Sequence, residues 1–139
     1  MTALTLVKAD ELADAVLAQG RSSGAAPLAV VVLDPGGHVV VAKREDGAGI
    51  LRIEIATAKA YGALGMGMSS RAIGERAEKQ PTFFGTLASV SDGRLAPAAG
   101  GVLVHGADGT LLGAVGVSGD TSDVDEGCVL AGIEAAGLR

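Results

Sequence analysis

The sequence predicts an α+β fold in which helices pack on a central antiparallel sheet. Three observations carry that prediction. Pro27–Leu33 and His38–Lys43 are apolar, β-branched runs on either side of Asp34-Pro35-Gly36-Gly37. Residues 101–105 and 110–118 form a second such pair around Ala107-Asp108-Gly109. Proline at a turn corner and glycine where positive φ is needed make tight connections, so each pair reads as a hairpin. Segments of helical period separate the hairpins, and antiparallel hairpins do not build a doubly wound parallel sheet.

The elements follow in order. Thr5–Gln19 places Leu12, Ala13, Val16 and Leu17 on one stripe, with Lys8, Asp10, Glu11 and Asp14 outside it, and Gly20 and Gly24 end that helix. After the first hairpin, Ile50–Met68 reads as a second helix. Its stripe of small residues, Ala56, Ala60, Ala63 and Gly67, lets another backbone come close. Ser69-Ser70 interrupts it and starts a short third helix through Lys79. Gln80–Ala98 carries Pro81, Gly85, Ser91-Asp92-Gly93 and Pro97 and reads as an irregular loop with a brief strand. A last helix, Asp123–Ala136, follows the second hairpin, with Ser122 as its N-cap and Asp125 completing a capping-box pattern. The order is α-β-β-α-α-β-β-α in a single domain, residues 1–139.

Composition excludes several classes of function. Apolar residues make up 48% of the 139 and charged residues 19%, which argues against disorder. Tyr61, Phe83 and Phe84 are the aromatic residues, so Ala, Val, Leu and Ile must build the core. A mean hydropathy of +0.41 is high for a monomer and predicts a homo-oligomer. The net charge of −5, without a run of Lys and Arg, speaks against nucleic acid. No 18-residue apolar run and no charged-then-apolar leader appear, so a cytoplasmic protein that neither enters nor binds a membrane is expected. The single cysteine, Cys128, allows no internal disulfide and reads as a small core residue.

The chemistry-bearing residues concentrate in Ala99–Glu126. Glycines 100, 101, 113, 116 and 119 exceed what a hairpin needs, which is expected where a backbone or a ligand comes close. Gly113-x-x-Gly116-x-x-Gly119 resembles a phosphate loop, but Asp120, Asp123, Asp125 and Glu126 put negative charge where the phosphate would sit. Asp125 and Glu126 read either as carboxylates favouring a helix start or as acid/base groups beside a glycine-lined cavity. Lys59 interrupts an alanine-rich helix. It either snorkels to water or forms, with Arg44, a clamp for carboxylates, with Glu54 neutralising one of the cations. His38 and His105, one on each hairpin, are candidate ligands of a haem iron or plain turn histidines. Phe83-Phe84 would cap the sheet or a partner subunit, or wall a pocket.

Six blocks in this order resemble the GlcG/HbpS family, the haem-binding-protein-like domain also found at the C-terminus of PduO-type adenosyltransferases. They are Val31–Gly37, Lys43–Ala48, Glu54–Ala60, Gly100–Val102, Gly113–Gly119 and Asp125-Glu126. The resemblance implies a five-stranded antiparallel sheet flanked by helices in a profilin-like layout, assembled into dimers up to octamers. It also implies haem or corrinoid as ligand. Arg44 and Lys59 match the family's recurrent arginine and lysine; Gly100-Gly101 and Asp125-Glu126 match its glycine turn and acidic helix start. Ala99 stands where the family often has proline, and Cys128 where it usually has alanine.

Two functions are therefore expected. The first is a cytoplasmic oligomeric protein binding haem, a corrinoid or a related small molecule near a subunit interface. Lys59 and Arg44 would hold its carboxylates, Gly100, Gly101, Gly116 and Gly119 would line the approach, and His38 or His105 would ligate iron. The alternative is a cofactor-independent enzyme on a small organic acid or carbonyl compound, with Lys59 and Arg44 holding substrate and Asp125 or Glu126 as general acid/base. A ligand-free assembly subunit is the third possibility.

Overall fold

The computed structural model describes residues 2–139. Its elements are α1 (Leu6–Ser23), β1 (Ala29–Leu33), β2 (Val39–Arg44), α2 (Arg52–Met66), α3 (Ser70–Lys79), α4 (Pro81–Val90), β3 (Gly101–His105), β4 (Leu111–Ser118) and α5 (Ser122–Ala135). The strands form one antiparallel sheet in the order β2-β1-β4-β3. Both hairpins form where turn chemistry placed them, and the all-apolar β1 is central and fully buried.

Helices cover both faces. α1 and α5 pack on one, where Leu12, Val16, Val129 and Ile133 meet Val30, Val32, Val115 and Val117. α2 covers the other, where Ala56 and Ala60 meet Val31, Leu33 and Ala114. Alternate residues of β1 thus serve opposite cores, as the two-residue period of a strand requires.

Four expectations need correction. The sheet has four strands among the described residues, not five. Gln80–Ala98, expected as an irregular loop with a brief strand, instead contains α4, because the fixed φ and absent N–H of Pro81 suit the first position of a helix. The first helix runs through Gly20, which leaves room for Leu28, and ends at Gly24 in the left-handed conformation (φ +75°). α5 is capped by Thr121, whose hydroxyl accepts from the Val124 N–H, not by Ser122 in a capping box, because Asp125 is turned inward.

The glycine-rich β4 is a packing device. A side chain at Gly116 would run into the carbonyl oxygen of Ala56 on α2, and one at Gly101 into the carbonyl of Lys59. With glycine there, the α2 main chain lies directly on the sheet. No described helix is long and apolar enough to cross a membrane. Gly116→Ala is expected to lower stability by about 3 kcal/mol through overpacking. Gly85→Ala on α4, where a Cβ would meet nothing within 4 Å, is expected to raise it by about 0.5–1 kcal/mol. Urea denaturation midpoints at unchanged m-value check both.

Candidate functional site

Lys59 lies on the sheet-facing side of α2, and its side chain passes Gly100 and Gly101 toward the far end of β4. A Cβ at Gly100 would sit 2.8 Å from the Lys59 ammonium. That ammonium donates to the Val117 carbonyl at 2.9 Å and to Asp125 Oδ2 at 3.2 Å. The second oxygen of Asp125 accepts from the Asp120 N–H at 3.0 Å. Lys59 is 3% exposed and Asp125 1%, so the ion pair is closed to water and ties α2 to α5 across the sheet. Burial lowers the Lys59 pKa, opposed by the charge and hydrogen bond of Asp125 and reinforced by nearby Arg52. Burial raises that of Asp125, opposed by the Asp120 N–H and by Lys59. Each charge is held by the other.

The rest of the acidic helix start has partners of its own. Arg71 on α3 reaches Glu126 at 2.9 Å and also binds Asp123. Asp120 accepts from the Ala26 N–H at 2.8 Å and the Thr121 N–H at 2.7 Å, which together hold its carboxyl below the usual range. Cys128 is buried, which pushes its thiol pKa up.

The remaining candidates fall in separate places. Gly113, Gly116 and Gly119 face main-chain oxygens of Leu33, Ala56 and Pro27, so the close approach that they allow is made by the chain itself. Arg44, exposed at the end of β2, donates to the Ala48 carbonyl at 2.9 Å and does not meet the buried Lys59 head group. Glu54 is exposed in the first turn of α2. His105 ends β3, where its main chain pairs with that of Arg139. No group of three or more His, Cys, Asp or Glu able to hold a metal ion occurs among the described residues.

His38 is placed differently. Its ring folds over Gly36 in the β1–β2 turn, with Nδ1 3.2 Å from Asp34 Oδ1 and the side chain 81% exposed. A histidine held through one nitrogen by a carboxylate presents the other outward, the usual support of a metal-ligating imidazole. Gly36 and Gly37 line a cavity of about 170 Å³ with Tyr61, Leu64 and Gly65. Tyr61 and Gly65 also line an adjoining cavity of about 200 Å³, walled by Met66, Leu87, Val90 and Leu95 with Arg94 at its polar side. The Arg94 guanidinium lies 3.9 Å from the Tyr61 ring centroid. The two cavities share Tyr61 and Gly65 and together form a shallow trough from the histidine turn, across an aromatic ring, to an arginine, apolar mainly at the arginine end. The sequence reading missed Tyr61, Met66 and Arg94. Tyr61 is the one aromatic residue on α2, and that was the available signal.

The profile of the HbpS-like haem degrading protein family matches residues 4–134. Comparison with curated proteins found no match. Among solved structures, HbpS is 29% identical, with a TM-score of 0.83 over 97% of this chain and 91% of its own. A PduOC–haem complex is 24% identical, with a TM-score of 0.88 over 99% of this chain and 97% of that one. Klebsiella pneumoniae ORFY is 23% identical, with a TM-score of 0.88 over 99% and 92%. The last two likenesses show the shared fold.

Asp125→Asn, which leaves the Lys59 ammonium buried without a counter-charge, is expected to cost about 3–5 kcal/mol. The double variant Lys59→Met with Asp125→Leu is expected to recover most of that loss, and Arg71→Ala to cost less than about 1 kcal/mol. Chemical denaturation of the three proteins under one set of conditions measures the differences.

Proposed function

This chain belongs to the HbpS-like haem degrading protein family, and on that premise we propose that it binds haem on the trough from His38 over Tyr61 to Arg94. The observation that carries this proposal is the exposed His38 imidazole, oriented by Asp34 at the end of an apolar, aromatic-walled surface. A haem needs an apolar face for its macrocycle, a cation for its propionates and a ligand for its iron. Tyr61, Leu64 and Met66 would take the first, Arg94 the second and His38 the third. Bound there, haem supplies an iron centre; the residues of this chain hold it, orient it and exclude water from one face.

Arg94 takes the propionate role first expected of Lys59, because the Lys59 ammonium is already committed to Asp125 and the Val117 carbonyl. His38 is preferred to His105 because its ring folds over Gly36, which lines the first cavity, whereas His105 ends β3. Haem is preferred to a corrinoid because the family and its HbpS relative are haem proteins by name. The acid/base alternative has little to support it: Asp125 faces Lys59, and Glu126 faces Arg71.

Each cavity is smaller than the roughly 300–1,000 Å³ usual for a small-molecule pocket, so the macrocycle would stand partly out of the protomer. Self-association would cover it. Phe83 and Val90, 54% and 74% exposed on α4, favour such an assembly.

Titration with hemin is expected to give a saturable Soret band. His38→Ala should weaken binding at least tenfold and shift the band, Arg94→Gln should weaken it several-fold, and His105→Ala should leave both unchanged. An unaltered spectrum and affinity in His38→Ala would falsify this placement of the iron.

A further inference from the structure

At the other end of the first hairpin, two arginines bracket one loop, and neither has a carboxylate. Arg44 closes β2 and donates to the Ala48 carbonyl at 2.9 Å. Arg52 opens α2, packs with its Nε 3.8 Å from the Cβ position of Gly49, and donates to the buried Ser118 hydroxyl at 3.1 Å. Ala48 and Gly49 are consecutive, so both guanidiniums lie on the same short stretch of main chain. The register agrees: Arg44 pairs with Ala29 and Ala29 with Ser118, which puts Arg44 and the Ser118 anchor of Arg52 in one cross-strand row. Side chains of such a row share a face of the sheet.

Five of the seven arginines, Arg44, Arg52, Arg76, Arg94 and Arg139, form no ion pair among the described residues, and what distinguishes Arg44 and Arg52 is that both are held on one loop. Elsewhere Arg21 is neutralised by Glu45 at 2.9 Å, and Arg71 by Asp123 and Glu126. In a chain of net charge −5, Arg44 and Arg52 have no carboxylate within 4.0 Å among the described residues. Arg52 is also the first residue of α2, where the helix dipole disfavours a cation and favours an anion. Each guanidinium is held by a single neutral oxygen, which orients it and leaves its other N–H groups unbonded by protein.

From this geometry we infer a second ligand site in which Arg44 and Arg52 together bind the carboxylate of an organic acid with an apolar body. Planar guanidinium forks match a carboxylate in two-point contact. The apolar part is read from Ile50 and Leu51, which stand 93% and 62% exposed in the loop between the two arginines. A doubly charged phosphate is disfavoured by Asp46, which with Arg44 and the Arg21–Glu45 pair lines a depression of about 430 Å³. The six residues of β2 separate this site from His38 by roughly 20 Å, so it is distinct from the haem trough and stands or falls by itself.

The test is an NMR titration of the full chain with hexanoate, acetate and inorganic phosphate at constant ionic strength. Hexanoate is expected to give saturable shifts confined to the Arg44–Ile53 amides and the Arg44 and Arg52 side chains. It should bind at least about threefold more tightly than acetate, and phosphate should not saturate. Arg44→Gln and Arg52→Gln should each weaken hexanoate about tenfold while the rest of the spectrum stays native, and His38→Ala should not affect it. The assignment is overturned by shifts spread over the protein, by phosphate matching hexanoate, or by either arginine variant binding hexanoate as the parent does. If one variant does not fold, the other still decides.

Discussion

The direct seating of the α2 main chain on strands β3 and β4 is the constraint on which the rest of the structure depends. Helices usually stand off a sheet by the thickness of two side-chain layers. Here Ala56 and Ala60 meet Gly116, and the main chain at Lys59 meets Gly101, so much of that thickness is gone. The short separation lets a lysine from α2 run past Gly100 and reach a carboxylate on α5, which belongs to the opposite layer. One ion pair thereby links both helical layers through the end of the sheet. Its burial makes it costly for either partner to be left alone, and it therefore specifies how the layers are aligned.

The same seating divides α2 into two functional sides. On its inner side Ala56 and Ala60 lie on the sheet, and Lys59 fits there only by running past Gly100 and Gly101. Its outer side carries Tyr61, Leu64 and Met66, and there the molecule keeps its apolar depressions. A chain with so few aromatic residues puts its one tyrosine on that outer side, stacked under Arg94 and against Gly37. The ligand sites proposed above accordingly lie on the rim of α2, the β1–β2 turn and the loop that precedes the helix, not on the glycine-rich strand.

The acidic start of α5 follows the same logic of internal use. Of its carboxylates, Asp125 answers Lys59, Glu126 and Asp123 answer Arg71, and Asp120 caps two main-chain N–H groups. A cluster that looks like a reactive site along the chain is distributed among three structural tasks in space. Arg52 shows the converse: the sequence reading did not single it out, and in space it lies beside Arg44 as a cation without an ion-pair partner among the described residues.

The sequence by itself determined the two hairpins and four of the five helices, in order. Those depend on turn chemistry at Asp34–Gly37 and Ala107–Gly109, on hydrophobic period, and on caps such as Thr5 and Ser69, all of which act over a few residues. Through the family pattern it also singled out Lys59, Gly100-Gly101 and Asp125-Glu126, but it paired Lys59 with Arg44 and not with Asp125. It misjudged Pro81–Val90, where proline and glycine suggested a loop and proline instead begins a helix. Only the tertiary structure decided what the marked residues do. Whether a glycine clears space for a ligand or for a neighbouring strand, and whether a lysine faces solvent or a carboxylate 66 residues away, depends on which surfaces meet. Local pattern does not encode that, because burial and pairing are properties of contacts between distant segments.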